Sequence, residues 1–217
     1  MKNVPSDIVQ SVVVPPKNKI SITVIGDHNV GKTSLLNSLI FENNNENEKQ
    51  AKTTGIDRRY WRMNNDTLIK FYEVGHFDAI HNEDTFINLS NFSLIIFLVV
   101  DCSSPSSAQS LVYYEKYFPN NKIVLVFNKD DRPKMINENS ENIKRLKEMY
   151  KIDKTFLTCA FNKESMESFK SDITNYIEQY IKEVPIDELA NKESLFNSNP
   201  ELKFYQAENK KKTIGCF

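Results

Sequence analysis

Eight consecutive residues, Gly26-Asp27-His28-Asn29-Val30-Gly31-Lys32-Thr33, carry the most specific chemistry in the 217-residue chain. They fit the pattern G-x-x-x-x-G-K-S/T at every fixed position. Two glycines let a backbone wrap around a phosphate, so that successive N–H groups point inward as a nest of donors. Lys32 then supplies a mobile cation for further phosphates, and the Thr33 hydroxyl is placed to ligate Mg²⁺. Ser34 opens the segment that follows, a helix whose dipole turns its positive end toward the same anion. A chance glycine turn would produce the same letters, but it would not need the flanking elements found here.

Those elements are a strand before and a helix after. Ile20–Ile25 is a short apolar, β-branched run suited to a buried strand, and Ser34–Ile40 carries leucines at helical spacing. Arg58–Asn64 and Thr67–Val74 predict two strands joined by a tight turn at Asn64-Asn65. Leu94–Val100 is the most apolar stretch, and a continuous run of that kind marks a strand covered on both faces. Lys122–Phe127 repeats the device, and Thr155–Thr158 is a shorter example. Helices are predicted at Ser107–Phe118, Asn139–Tyr150 and Lys163–Glu183. The alternation implies an α/β fold with a doubly wound, mostly parallel six-stranded sheet flanked by helices. Ligands of such sheets lie beyond the carboxyl ends of the strands, where the loops after Ile25, Phe127 and Thr158 converge.

Composition sets the surroundings. With 40% hydrophobic and 26% charged residues the chain can build one core. A net charge of −1 gives no reason to expect nucleic acid as a partner. Cys102, Cys159 and Cys216 are far apart, which suits a reducing compartment and forms no metal-ligand cluster. No apolar run is long enough to span a bilayer, and Lys2 stands where N-myristoylation needs glycine, so a cytoplasmic protein is expected. Residues 1–18 read as an N-terminal extension and Glu42–Lys52 as a polar loop. Residues 19–183 form the expected domain, and 184–217 a polar tail with a short helix around Asp187–Leu195.

Asn128-Lys129-Asp130-Asp131, directly after a buried strand, resembles the base-recognition motif N-K-x-D of the small GTPases. A carboxylate at Asp131 can accept from the N1–H and N2–H₂ of guanine, a donor pair that adenine lacks. In that resemblance the Lys129 stem lies over the purine, and Asn128 ties its loop to the phosphate loop. Thr158-Cys159-Ala160 is similar to the T-S-A-K stretch, whose backbone N–H meets the guanine O6, with Phe161 in place of the lysine. Lys52-Thr53-Thr54-Gly55-Ile56-Asp57 looks like the first switch of the Rab branch, in which Thr53 ligates Mg²⁺ and senses the γ-phosphate. Together these residues resemble the Ras superfamily, closest to Rab and Rab-like proteins, which implies a P-loop NTPase fold over residues 19–183.

The resemblance implies a switch that binds GTP or GDP with Mg²⁺, the metal held by Thr33 and Thr53. It also implies effector, exchange-factor and GTPase-activating partners, and a role in vesicle or membrane trafficking. The nucleotide would contact residues 26–34, Thr53, Gly75, Asn128, Lys129, Asp131 and the segment Cys159-Ala160-Phe161. The second switch is degenerate: Tyr72-Glu73-Val74-Gly75-His76 stands where the family has D-T-A-G-Q. Gly75 keeps the N–H that reports the γ-phosphate, whereas Tyr72 replaces the aspartate that holds Mg²⁺ through water. Strand alternation is expected to turn Glu73 to the opposite face, leaving Asp57 or Asp101 to compensate. Lys32 and His76 are the catalytic candidates, with His76 in the place of the glutamine that orients the attacking water. His76 reads equally as a loop histidine with no catalytic task. At the other end, Lys210-Lys211-Lys212 and Cys216 suit peripheral contact with an anionic membrane, although Gly215-Cys216-Phe217 is not a prenylation box. Two readings stay open, a slowly hydrolysing GTPase and a nucleotide-bound adaptor; a third, an ATP-dependent P-loop kinase or ATPase, has no reason to place Asn128-Lys129-Asp130-Asp131 after a buried strand.

Overall fold

The computed structural model describes residues 15–41, 53–75 and 83–198. The expected loop 42–52, His76, and Lys210–Lys212 with Cys216 lie outside them, as does most of the N-terminal extension.

Six strands form one sheet: β1 (Asn18–Gly26), β2 (Ile56–Arg62), β3 (Thr67–Val74), β4 (Ile95–Asp101), β5 (Lys122–Asn128) and β6 (Lys154–Leu157). Their order across the sheet is β2-β3-β1-β4-β5-β6. Only β2 and β3 pair antiparallel; every other pair is parallel. The helices are α1 (Lys32–Phe41), α2 (Glu83–Phe92), α3 (Glu141–Met149), α4 (Lys163–Glu183) and α5 (Ile186–Ser198). Each sheet face carries its own core. On one, Phe71, Phe97 and Val99 pack with Leu35, Leu36 and Leu39 of α1 and Phe169, Ile173 and Ile177 of α4. On the other, Tyr72, Leu98 and Leu125 pack with Phe86 and Leu89 of α2 and Ile143 and Leu146 of α3. This explains the unbroken apolar run in β4, whose residues alternate between two dry faces and are all buried.

Three features depart from the pattern predicted by sequence. The helix expected over Ser107–Phe118 is instead a pair of 3-10 segments, Pro105–Ala108 and Ser110–Tyr117. Serine side chains compete with the backbone there: Ser107 Oγ donates to the Ser104 carbonyl at 2.7 Å and accepts from the Asp101 N–H at 3.0 Å. Helix α2 is additional, and Phe86, Leu89 and Phe92 form its buried edge. Finally, the packed body continues past residue 183. Val184 is buried, Leu189 packs against the α1–α4 core, and the short helix expected near Asp187–Leu195 runs to Ser198. Lys192 on α5 caps α2, its Nζ donating to the carbonyls of Ser90 at 3.1 Å and Asn91 at 2.8 Å.

Candidate functional site

The loops after β1, β3, β5 and β6 enclose a cleft of about 610 Å³ at the carboxyl edge of the sheet. Of the residues singled out in sequence, His28, Asn29, Gly31, Lys32, Thr33 and Ser34 line it from the β1–α1 loop. Thr53 and Gly75 line it from the β2–β3 side, and Asn128, Lys129, Asp131, Cys159, Ala160 and Phe161 from the far end. Gly26, Asp27 and Val30 do not line it; Val30 belongs to the core.

The loop is held in shape by its own lysine. Lys32 Nζ donates to the carbonyls of Gly26 at 2.8 Å and Asp27 at 3.0 Å, so the ammonium spans the concave side. Burial lowers its pKa, opposed by the charges of Glu73 and Asp27. Gly31 has φ +91°, and a Cβ there would stand 2.4 Å from Asn128 Nδ2. That closeness is functional for the fold, because Asn128 Nδ2 donates to the Val30 carbonyl at 2.9 Å while its Oδ1 accepts from the Ala160 N–H at 3.2 Å. Asn128 thereby ties the loops after β5 and β6 to the β1–α1 loop, a link between loops that the resemblance implied. Gly31→Ala is expected to lower stability by about 1–3 kcal/mol, from left-handed strain and the displaced asparagine, measurable by urea unfolding.

At the middle of the cleft three oxygen donors meet. The hydroxyls of Thr33 and Thr53 are 3.1 Å apart, and both donate to Glu73 Oε1, at 2.5 and 3.1 Å. Glu73 therefore faces the site, contrary to the orientation expected from sequence. The reason lies in packing. Ile69 and Phe71 join the leucines of α1, so residue 73 continues toward Thr33, and Tyr72 turns into the α2–α3 core. Alternation separated Tyr72 from Glu73 correctly, but both faces of β3 are buried, and periodicity alone does not say which one meets α1. The carboxylates expected to compensate are engaged elsewhere. Asp57 Oδ2 accepts from Arg59 Nη2 at 2.7 Å, and Asp101 Oδ2 from Lys129 Nζ at 2.6 Å. Glu73 Oε2 accepts from Arg59 Nη1 at 2.6 Å. Gly75, beside Glu73 and Val74, donates its N–H to the Gly55 carbonyl at 2.8 Å, and a Cβ there would meet the Thr53 oxygen at 2.4 Å.

The far end is built by β5 and β6. Lys129 takes a left-handed φ of +63°, which aims its Nζ across the cleft to the Asn29 carbonyl at 2.5 Å as well as to Asp101. Burial alone would raise the Asp101 pKa, but hydrogen bonds from Lys129 and Ser103 outweigh it and hold it below 3.8. The stabilisation is therefore complete above that ordinary value and is lost as pH falls through the depressed one. Asp101→Asn is expected to flatten the acid limb of a melting-temperature profile against pH. Asp131 Oδ1 accepts from the Cys159 thiol at 3.1 Å. Burial, and then the hydrogen bond to Asp131, raise the Cys159 pKa and keep it a donor. Of the backbone N–H groups in the stretch expected to meet the guanine O6, that of Ala160 donates to Asn128 Oδ1 and that of Cys159 to Ser165 Oγ at 2.9 Å. Sequence reasoning missed Glu73, Arg59 and Arg132, the last of which also lines the cleft. The only signal for Arg59 was its position two residues from Asp57 on the strand before the turn.

Residues 21–129 match the model of a family described as 50S ribosome-binding GTPase. The chain belongs to this family. It is a P-loop GTPase domain of the Ras superfamily, related to the Roco type rather than specifically Rab-like. Among solved structures it is similar to the Roco2 RocCORdC structure of Methanosarcina barkeri bound to GDP, with 25% identity and a TM-score of 0.57. The similarity covers 76% of this chain and 50% of that one, so the GTPase domain spans half the length of the Roco2 chain. No curated protein sequence matches. Among the described residues no helix is long and apolar enough to cross a membrane.

Proposed function

We propose that the domain is a guanine-nucleotide switch that binds GTP and GDP, with the base at Asp131 and the phosphates against Lys32. One observation carries this reading: a single cleft joins a phosphate loop to a carboxylate beside Lys129, with Asn128 bonded to both ends. The Asp131 carboxylate would accept from guanine N1–H and N2–H₂, and the exposed Phe161 ring together with the Lys129 stem would cover the purine. The Roco2 relative is bound to GDP, which supports the same ligand class here.

Mg²⁺ fits the donor set, since two hydroxyls and a carboxylate oxygen converge as hard ligands. Thr33, Thr53 and Glu73 would hold it, with Glu73 in the role that the resemblance assigns to an aspartate. When bound, the ion would neutralise phosphate charge. Lys32 would stabilise the transferring phosphoryl group, and His76 would orient water for slow GTP hydrolysis. Trafficking on a membrane, with effector, exchange-factor and activating partners, is the finer extension of this reading; it is supported by the resemblance of residues 52–57 to the Rab switch.

A second reading, a hydrolysis-deficient adaptor, is favoured by the Arg59–Glu73 ion pair, which already neutralises the carboxylate that would hold the metal. Chromatography of nucleotide released from purified protein tests the first. GDP or GTP is expected; adenine nucleotide, or none after GDP loading, overturns it. Single-turnover phosphate release then separates switch from adaptor.

A further inference from the structure

Asp57 and Glu73 stand directly opposite each other across the antiparallel β2–β3 pair, an arrangement of like charges that costs stability unless bridged. Arg59, two residues along the same face, bridges them with Nη2 on Asp57 at 2.7 Å and Nη1 on Glu73 at 2.6 Å. The two carboxylates differ in environment: the Asp57 side chain is 47% exposed and that of Glu73 only 1%. A buried carboxylate needs a cation, and Lys32, which also lies near Glu73, spends its ammonium on loop carbonyls. Both Glu73 oxygens are occupied, Oε1 by the threonine hydroxyls and Oε2 by Arg59.

We propose that Arg59 is an internal counter-cation: by neutralising Glu73 it lets the site hold nucleotide with little help from a divalent ion, and it sets how tightly that ion binds. The inference rests on the nucleotide-binding reading above. A metal entering among Thr33, Thr53 and Glu73 must break both hydroxyl–carboxylate bonds. It must also share Glu73 with a guanidinium already paired to the opposite oxygen, and like charges so close repel. Arg59 is thus a positioning residue for the metal: it acts through Glu73 and is not among the residues that line the cleft.

The test is Mn²⁺ binding to the GDP-loaded full chain, read by loss of the free-ion electron paramagnetic resonance signal, together with release of fluorescent GDP before and after EDTA. In the unaltered protein EDTA is expected to speed release by less than about threefold, because Arg59 already supplies the charge that a metal would. Arg59→Gln is expected to tighten Mn²⁺ by about tenfold or more and to make release EDTA-sensitive by a similar factor. Arg59→Gln/Glu73→Gln should lose that gain. Unchanged or weaker Mn²⁺ binding in Arg59→Gln overturns the inference. If Arg59→Gln does not fold, Asp57→Asn decides: with Arg59 left to Glu73 alone, Mn²⁺ should weaken, and equal or tighter binding overturns the proposal. Failure of the unaltered protein to bind GDP, with or without metal, would instead bring down the nucleotide reading itself.

Discussion

Lys32→Ala is expected to lower affinity for GDP and GTP by about 30-fold or more while leaving the domain folded. The Lys32 side chain is nearly buried, and two backbone carbonyls fix its Nζ across the mouth of the loop. Its charge is already desolvated and oriented before any phosphate arrives. Removing one member of such a pair typically costs about 2–5 kcal/mol, or roughly 30- to several-thousand-fold. Folding should survive because the space left by the ammonium opens to the cleft that Lys32 lines, so water can reach the carbonyls of Gly26 and Asp27 in its place. Titration with a fluorescent guanine nucleotide reads the affinity, and circular dichroism reads the fold. An affinity within threefold of the unaltered protein would mean that the pyrophosphate lies elsewhere.

The second large effect concerns which base is accepted. Asp131→Asn is expected to weaken guanine nucleotides by about a hundredfold and to improve xanthine nucleotides, reversing their order. Guanine offers two donors on one edge, and a carboxylate is the matching pair of acceptors. An amide presents one donor and one acceptor, which suits the N1–H and C2 carbonyl of xanthine. Sites built to hydrogen-bond a substrate edge can discriminate by roughly 10⁴–10⁵. The smaller figure is expected here because the cleft is open and the Cys159 thiol already donates to Asp131, so water and that thiol soften the mismatch. Competition between GDP and xanthosine diphosphate on the variant measures it directly. Equal weakening of both would remove Asp131 from the base site.

The two predictions use the two ends of the cleft, and the Asp101 titration probes the link between them. Protonating Asp101 frees one bond of Lys129, whose other bond holds the Asn29 carbonyl of the phosphate loop. Loosening the base end should therefore be felt at the phosphates.

Much of this architecture was legible in the chain itself. Gly26 to Thr33 specify a phosphate loop because few other spacings give a wrapped backbone, a mobile cation and a hydroxyl together. Continuous apolar runs at Leu94–Val100 and Lys122–Phe127 require strands with two dry faces, and hence a doubly wound sheet. Asn128 to Asp131 follow such a strand and so had to lie at its carboxyl end. Each of these is a local pattern with a single physical solution.

What the chain alone left undecided depends on contacts between elements distant in sequence. Strand alternation set Tyr72 and Glu73 on opposite sides, but only the packing of Ile69 and Phe71 against α1 turned Glu73 toward Thr33. The role of Arg59 required the β2–β3 register, which sets Asp57 against Glu73. The segment after Val184 is polar enough to read as a tail, yet Leu189 and Lys192 find partners on β1's face and at the end of α2. A carboxylate, a guanidinium and an amphipathic helix have no preferred neighbour written beside them. Their partners are chosen when the sheet closes, because burying a charge or an apolar edge is tolerable only where the rest of the fold supplies its complement.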